Sequence, residues 1–149
     1  VSGAGEESGV HGGGCHCGAV RYEIEGPMRP VVFCHCRQCR SIHGHFAAYT
    51  AAARRAVRLV ETRGLSWYAA SEQARRGFCR ECGASLFWEP SGADYISIAA
   101  GTLREPTGLS AMAHVFTADK GDYYEIGDGL QQFEQSSSGR LPGVRMAGD

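Results

Sequence analysis

Long apolar runs are missing from this chain of 149 residues. The longest are a few residues, far short of the roughly 20 needed to span a bilayer. The opening residues also lack the charged-then-apolar pattern of a signal peptide. No membrane partner is expected, and a cytoplasmic location follows, where thiols stay reduced. Net positive charge is absent as well: the net charge is −1, and Lys120 is the only lysine among 15 basic residues. Without a positive field there is nothing to hold a phosphate backbone, so nucleic acid is not an expected partner. No internal period of repeat-protein length is present. Finally, no cysteine lies outside three short clusters.

Those clusters are Cys15-His16-Cys17, Cys34-His35-Cys36-Arg37-Gln38-Cys39 and Cys79-Arg80-Glu81-Cys82-Gly83. Seven cysteines cannot close into a full set of disulfides, and spacings of one or two residues suit a metal better than a cross-link. The set divides as four plus three. A structural zinc takes four protein ligands, whereas a working zinc keeps one position open. In a strand, residues i and i+2 project to the same side, so each CxC pair aims two sulfurs at one point and turns the intervening His16 or His35 away. Cys79-x-x-Cys82-Gly83 has the form of a zinc knuckle, in which the glycine takes positive φ without steric cost. The second CxC already has Cys39 as a third sulfur. Cys15 and Cys17 are therefore paired with Cys79 and Cys82 in a structural site, closing a loop of roughly sixty residues at a cost that grows only logarithmically.

Cys34, Cys36 and Cys39 remain as a three-thiolate zinc site with an open corner. Three thiolates on a divalent ion leave it formally negative, which weakens it as an activator of water and makes a soft substrate sulfur the better fourth ligand. Thiol chemistry is expected over hydrolysis. Arg37 and Arg40 beside Cys39 either hold a substrate carboxylate or offset the thiolate charge. His114 is either a hydrogen-bonded core residue or a proton-transfer group. Trp67, Tyr68, Phe87 and Trp88 read as core or pocket wall. Arg75 and Arg76 read as a solvated strand edge.

The rest of the chain reads as one all-β domain. With 43% hydrophobic residues it can bury a core, helped by metal. Val20, Tyr22 and Ile24 alternate with Arg21, Glu23 and Glu25, and further short strands are expected at 30–34, 46–50, 57–60, 66–69, 76–79, 84–89, 94–99 and 113–117. Brief helical turns are expected at 51–58 and 37–41. The glycine-rich residues 1–13 and the polar residues 135–149 read as flexible tails around a domain at 14–134.

Six blocks carry a resemblance: 14–23 (GCHCGAVRYE), 34–40 (CHCRQCR), 77–88 (GFCRECGASLFW), 100–103 (AGTL), 114–116 (HVF) and 127–130 (GDGL). In this order the chain resembles the glutathione-dependent formaldehyde-activating enzyme family, which also includes the centromere protein V branch. The resemblance implies a zinc-tented β domain of short antiparallel strands, a β-tent. It implies structural zinc at Cys15, Cys17, Cys79 and Cys82 and catalytic zinc at Cys34, Cys36 and Cys39. It also implies a carbon–sulfur lyase that joins a small thiol, glutathione or an analogue, to an aldehyde such as formaldehyde, or cleaves the adduct, as S-(hydroxymethyl)glutathione synthase does. His114 is the candidate proton donor. The chain departs from the family where Ile42-His43-Gly44-His45 replaces a Ser-Gly pair, so His43 and His45 either close the open corner, alter proton transfer or lie on the surface. The rival readings are a non-catalytic zinc scaffold that binds a protein partner and a zinc-assisted lyase or hydrolase of a specialised metabolite.

Overall fold

A computed structural model describes residues 9–141. Residues 1–8 and 142–149, which make up parts of both expected tails, lie outside the described residues. In chain order the elements are β1 (Val10–Gly14), β2 (Arg21–Glu25), β3 (Val31–Cys34), helix α1 (Arg37–His43), β4 (Ala47–Ala53), β5 (Val57–Glu61), β6 (Leu65–Tyr68), β7 (Ala74–Cys79), β8 (Ser85–Pro90), β9 (Tyr95–Ala99), β10 (Ala111–Val115) and β11 (Gln131–Gln132). They form a three-stranded sheet, β1-β2-β5, and an eight-stranded sheet ordered β11-β10-β3-β4-β9-β8-β7-β6. The all-β reading holds. Two pairings depart from an antiparallel pattern, because β10 runs parallel to both β3 and β11.

Alternation in β2 sends Tyr22 and Ile24 inward and leaves Arg21 and Glu25 in solvent. They join Val57 of the small sheet and Leu86, Phe87, Ile96 and Ile98 of the large one in a single apolar cluster, so one core welds the two sheets together. Tyr22 meets Phe87 edge-on at 5.4 Å between ring centroids, and Trp67 stacks on the same phenylalanine at 6.0 Å. Burying each large side chain contributes about 1.5–3 kcal/mol. A second cluster gathers Val32, Ala113, Val115, Phe133 and Leu141 around β10.

Two local expectations are corrected and a third is narrowed. Residues 10–13, read as tail, form most of β1, where Gly13 lies against the Tyr22 ring and 2.7 Å separates its would-be Cβ from the Thr102 carbonyl. Glycine there permits close approach of backbone to side chain, not disorder. At the other end the ordered chain passes 134, with Ser137 and Leu141 buried. Residues 51–58 contain only a single 3-10 turn, Arg54–Ala56. Ala51 and Ala52 are fully buried in β4 opposite Ser97 and Ile96 of β9, so sheet packing overrides alanine's helical preference. The short helix after the second cysteine cluster does form. The Cys36 side chain caps α1 by accepting from the Cys39 N–H, and Gly44 ends it at φ 80°.

Candidate metal centres

The first centre joins the turn after β1 to the end of β7. Gly18 and Gly83, at φ 86° and 83°, fold the chain back immediately after each cysteine pair. The Gly83 N–H donates to the Cys79 carbonyl at 2.7 Å, the Cys79 N–H to Ala84 O at 2.9 Å, and the Cys15 N–H to Val20 O at 3.0 Å. Sulfur is held by backbone too, since the Val20 N–H donates to Cys15 Sγ at 3.2 Å. Backbone bonds from Ala84 and then Cys17 hold the Cys82 thiol down to about 6. The Sγ atoms of Cys15 and Cys17, and of Cys17 and Cys79, are 3.7 Å apart, and all four sulfurs lie within 4.8 Å of one another. A tetrahedron of sulfurs at zinc's bond length of ~2.3 Å has edges of about 3.8 Å. The donor set therefore fits a closed four-thiolate ion. Convergence comes from turns, however, and not from strand alternation.

In the second centre, Cys34 ends β3, Cys36 caps α1 and Cys39 lies in its first turn, with the three sulfurs again within 4.8 Å of one another. Hydrogen bonds from Cys34 and then Cys39 pull the Cys36 thiol down to about 2, with Arg76 adding to the shift, while the bonds to Cys36 and Cys39 push Cys34 up. One thiolate thus forms readily and the cluster is poised to accept a cation. Arg76 corrects an expectation. It is not on a solvated edge but 6% exposed, donating from Nη2 to Cys39 Sγ at 3.5 Å, from Nη1 to the Tyr49 hydroxyl at 3.0 Å and from Nε to Gln38 Oε1 at 2.9 Å. Its parity along β7 with buried Ala74 was the signal for this. Arg75, of opposite parity, does face solvent, although β7 is flanked by β6 and β8 and is not an edge strand; it is paired with Glu89 at 2.7 Å and lies over the Trp67 ring at 3.8 Å.

A cavity of about 380 Å³ opens onto this trio, its walls including Cys34, Cys36, Cys39, Tyr49, Arg76 and Trp88. Tyr49 and Arg76 also line a neighbouring depression of about 340 Å³ with Ile42, Tyr68, Phe78 and Phe87. A larger hollow of about 540 Å³ beside Val10, Glu23 and Arg55 contains no cysteine or histidine.

The histidines separate by face. His16 is exposed. His35 is fully buried and turned from the sulfurs, as the CxC spacing implies. Its Nδ1 is hydrogen-bonded to the Tyr124 hydroxyl, and its Nε2 lies 2.8 Å from His114 Nδ1, while His114 Nε2 lies 2.8 Å from Asp128 Oδ2. Burial and then the neighbouring His114 push His35 down to about 4. His114 does not line the trio cavity; Val115, the next residue in β10, does. Register explains this, because β10 pairs His114 with Phe33 and Val115 with Cys34. His43 bonds the Tyr49 hydroxyl at 2.9 Å and His45 bonds that of Tyr123 at 2.7 Å, so neither joins the sulfur groups. Arg37 is exposed and Arg40 donates to Asp119 O at 2.8 Å; neither lines the cavity. Phe87 is core, Trp88 pocket wall and Tyr68 58% exposed. Tyr49, Tyr124 and Asp128 were not singled out from sequence, although Asp128 lies in the GDGL block.

Among the described residues these two are the only groups of three or more His, Cys, Asp or Glu that could hold a metal ion. No helix among them is long and apolar enough to cross a membrane. A family model described as glutathione-dependent formaldehyde-activating enzyme matches residues 10–119. An uncharacterized lyase of Schizosaccharomyces pombe is 29% identical over 125 residues, covering 81% of this chain and 88% of its own. A Rhodobacter sphaeroides protein of known crystal structure matches with a TM-score of 0.56 at 20% identity, over 82% of this chain and 98% of that one, a likeness of fold.

Proposed function

The chain belongs to the glutathione-dependent formaldehyde-activating enzyme family, and from that membership we propose a zinc-dependent carbon–sulfur lyase that forms or cleaves the adduct of a small thiol and an aldehyde. Glutathione with formaldehyde is the first pair to test. The observation that carries this reading is the contrast between the centres: four sulfurs close one, whereas three converge on the wall of a cavity at the other. Zinc, when bound by Cys34, Cys36 and Cys39, offers a fourth position to a substrate sulfur and favours its thiolate form.

The chain's own residues supply the rest. Arg76 offsets charge at Cys39 from within the protein. Trp88 and Tyr49 give the cavity apolar walls, and about 380 Å³ suits a small ligand. In the forming direction, substrate sulfur attacks the aldehyde carbon, a C–S bond replaces the carbonyl π bond, and the oxygen takes a proton; cleavage is the reverse. His114, on the other face of β10, is not retained as that proton's donor.

The test is metal content of the purified protein, followed by cobalt substitution and titration with glutathione and other small thiols. Two metals per chain and a thiolate absorption band that shifts with thiol are expected. A single inert metal, or two that ignore every thiol, would favour a scaffold. Metal-dependent turnover without any thiol would favour hydrolysis.

A further inference from the structure

The trio cavity has no carboxylate or imidazole among its described lining residues, yet the chemistry proposed for it must move a proton on and off the adduct's oxygen. Three hydroxyls line it, those of Tyr49, Ser71 and Ser97. Of these, Tyr49 has an imidazole directly behind it. Its oxygen lies 3.0 Å from Arg76 Nη1 and 2.9 Å from His43 Nε2. A guanidinium only donates, so the phenol oxygen accepts from Arg76 and keeps a hydrogen of its own to give, and His43 Nε2 is within hydrogen-bond distance to take it. In the relay proposed below Nε2 is that acceptor, which puts the imidazole hydrogen on Nδ1. His43 is half-buried at the end of α1, between this hydroxyl and solvent.

Resting on the reading of the cavity as a thiol–aldehyde site, we propose that Tyr49 exchanges the proton with the adduct oxygen and that His43 relays it to solvent. In cleavage, the adduct's O–H proton passes to the Tyr49 oxygen as the Tyr49 proton passes to His43 Nε2. The freed O–H electron pair becomes the carbonyl π bond, the C–S bond breaks, and sulfur leaves with its pair as thiolate. His43 then releases one proton to water. In synthesis each transfer reverses. Arg76 holds its positive charge beside the phenol oxygen throughout and stabilises negative charge that develops there. His43 thereby gains a use: it does not close the metal corner but connects the cavity to solvent.

The test uses the zinc-loaded full chain, with glutathione and formaldehyde exchange followed by two-dimensional exchange NMR. Tyr49→Phe is expected to slow catalysed exchange by about 10²-fold or more while the cobalt protein's response to glutathione is kept. His43→Gln, which still accepts the tyrosine hydrogen but cannot carry the proton, is expected to slow exchange and change the solvent deuterium isotope effect. Independently of turnover, nitrogen NMR should find wild-type His43 with hydrogen on Nδ1 and an Nε2 signal that moves in Tyr49→Phe. Wild-type exchange rates in Tyr49→Phe, or a His43 carrying its hydrogen on Nε2, would overturn the relay. Loss of the thiol response together with activity in both variants would also overturn it, as a merely structural role. A wild-type protein that catalyses no exchange and ignores thiol would instead sink the thiol–aldehyde reading.

Discussion

Gly64 offers a test of the four-sulfur centre that leaves every ligand in place. It lies between β5 and β6, its N–H donating to Ala19 O at 2.9 Å and its carbonyl accepting the Arg80 N–H at 2.7 Å. A Cβ there would stand 2.7 Å from Cys79 Sγ and 2.8 Å from the Ala19 methyl. Ordinary contacts are about 3.5–4.0 Å, so roughly 1 Å must be found, and Cys79 and Ala19 are both fully buried with no open space to yield. Overpacking of this kind costs about 1–3 kcal/mol, which for a chain of this size lowers Tm by about 3–10 °C. The sulfur is the more sensitive partner, because metal bonds tolerate displacements of only about 0.2 Å. Gly64→Ala is therefore expected both to melt earlier and to surrender one metal faster to a chromogenic chelator. Gly101→Ala, with nothing within 4 Å of the new methyl, serves as the control and should behave as wild type. Wild-type Tm and chelator resistance in Gly64→Ala would refute the packing argument, and a lowered Tm with unchanged metal release would refute the assignment of Cys79 as a ligand.

Cys79→Ser should lose a metal and unfold the domain, whereas Cys36→Ser should keep the fold and one metal and lose activity; circular dichroism with metal analysis separates the two. Arg76→Met removes a buried cation from beside Cys39 and should cost about 3–5 kcal/mol in urea unfolding, with metal lost from the trio before the four-sulfur centre. For pH dependence, burial alone would raise Glu89, but the bonds from Arg75 and Arg54, each at 2.7 Å, hold its carboxyl below the ordinary value. A depressed carboxyl contributes stability that is present above its unfolded pKa of about 4.3 and is lost as pH falls through the folded value. Glu89→Gln should thus be less stable than wild type at pH 7, by about 1 kcal/mol for two partly exposed pairs, with the gap closing as pH falls below the unfolded value and through the folded one. Comparing the two proteins at each pH cancels the acid release of metal common to both, and a gap that stays constant or widens on acidification would contradict the assignment.

The grouping of the cysteines was legible because sulfur spacing is a local property: the Cys79-x-x-Cys82-Gly83 turn calls for a left-handed glycine, and Gly83 is left-handed at φ 83°. Strand alternation was legible for the same reason, and Tyr22 and Ile24 fall where period two puts them. What escaped depends on partners distant in sequence. The face that His114 presents is set by its register with Phe33, and the burial of Arg76 by its meeting with Tyr49, Gln38 and Cys39. The glycines of β1 look identical in sequence to those of a mobile arm. Only the Tyr22 ring packed against Gly13 tells them apart.

The two cysteine groups also differ in how far apart their members lie along the polypeptide. Cys17 and Cys79 are separated by 62 positions, whereas Cys34, Cys36 and Cys39 sit within one short stretch. Bringing the distant pair together costs about 2 kcal/mol more chain entropy than gathering the near one. During synthesis the nearby trio is complete before Cys79 has been added, so an unfolded chain already carries a local chelator. When the ion is scarce, chains can capture it at the trio first and still lack the clasp that holds the two sheets. Under the two-zinc reading, bound metal per chain is then expected to be a poor gauge of the fraction folded, with the last equivalent added, not the first, completing the fold.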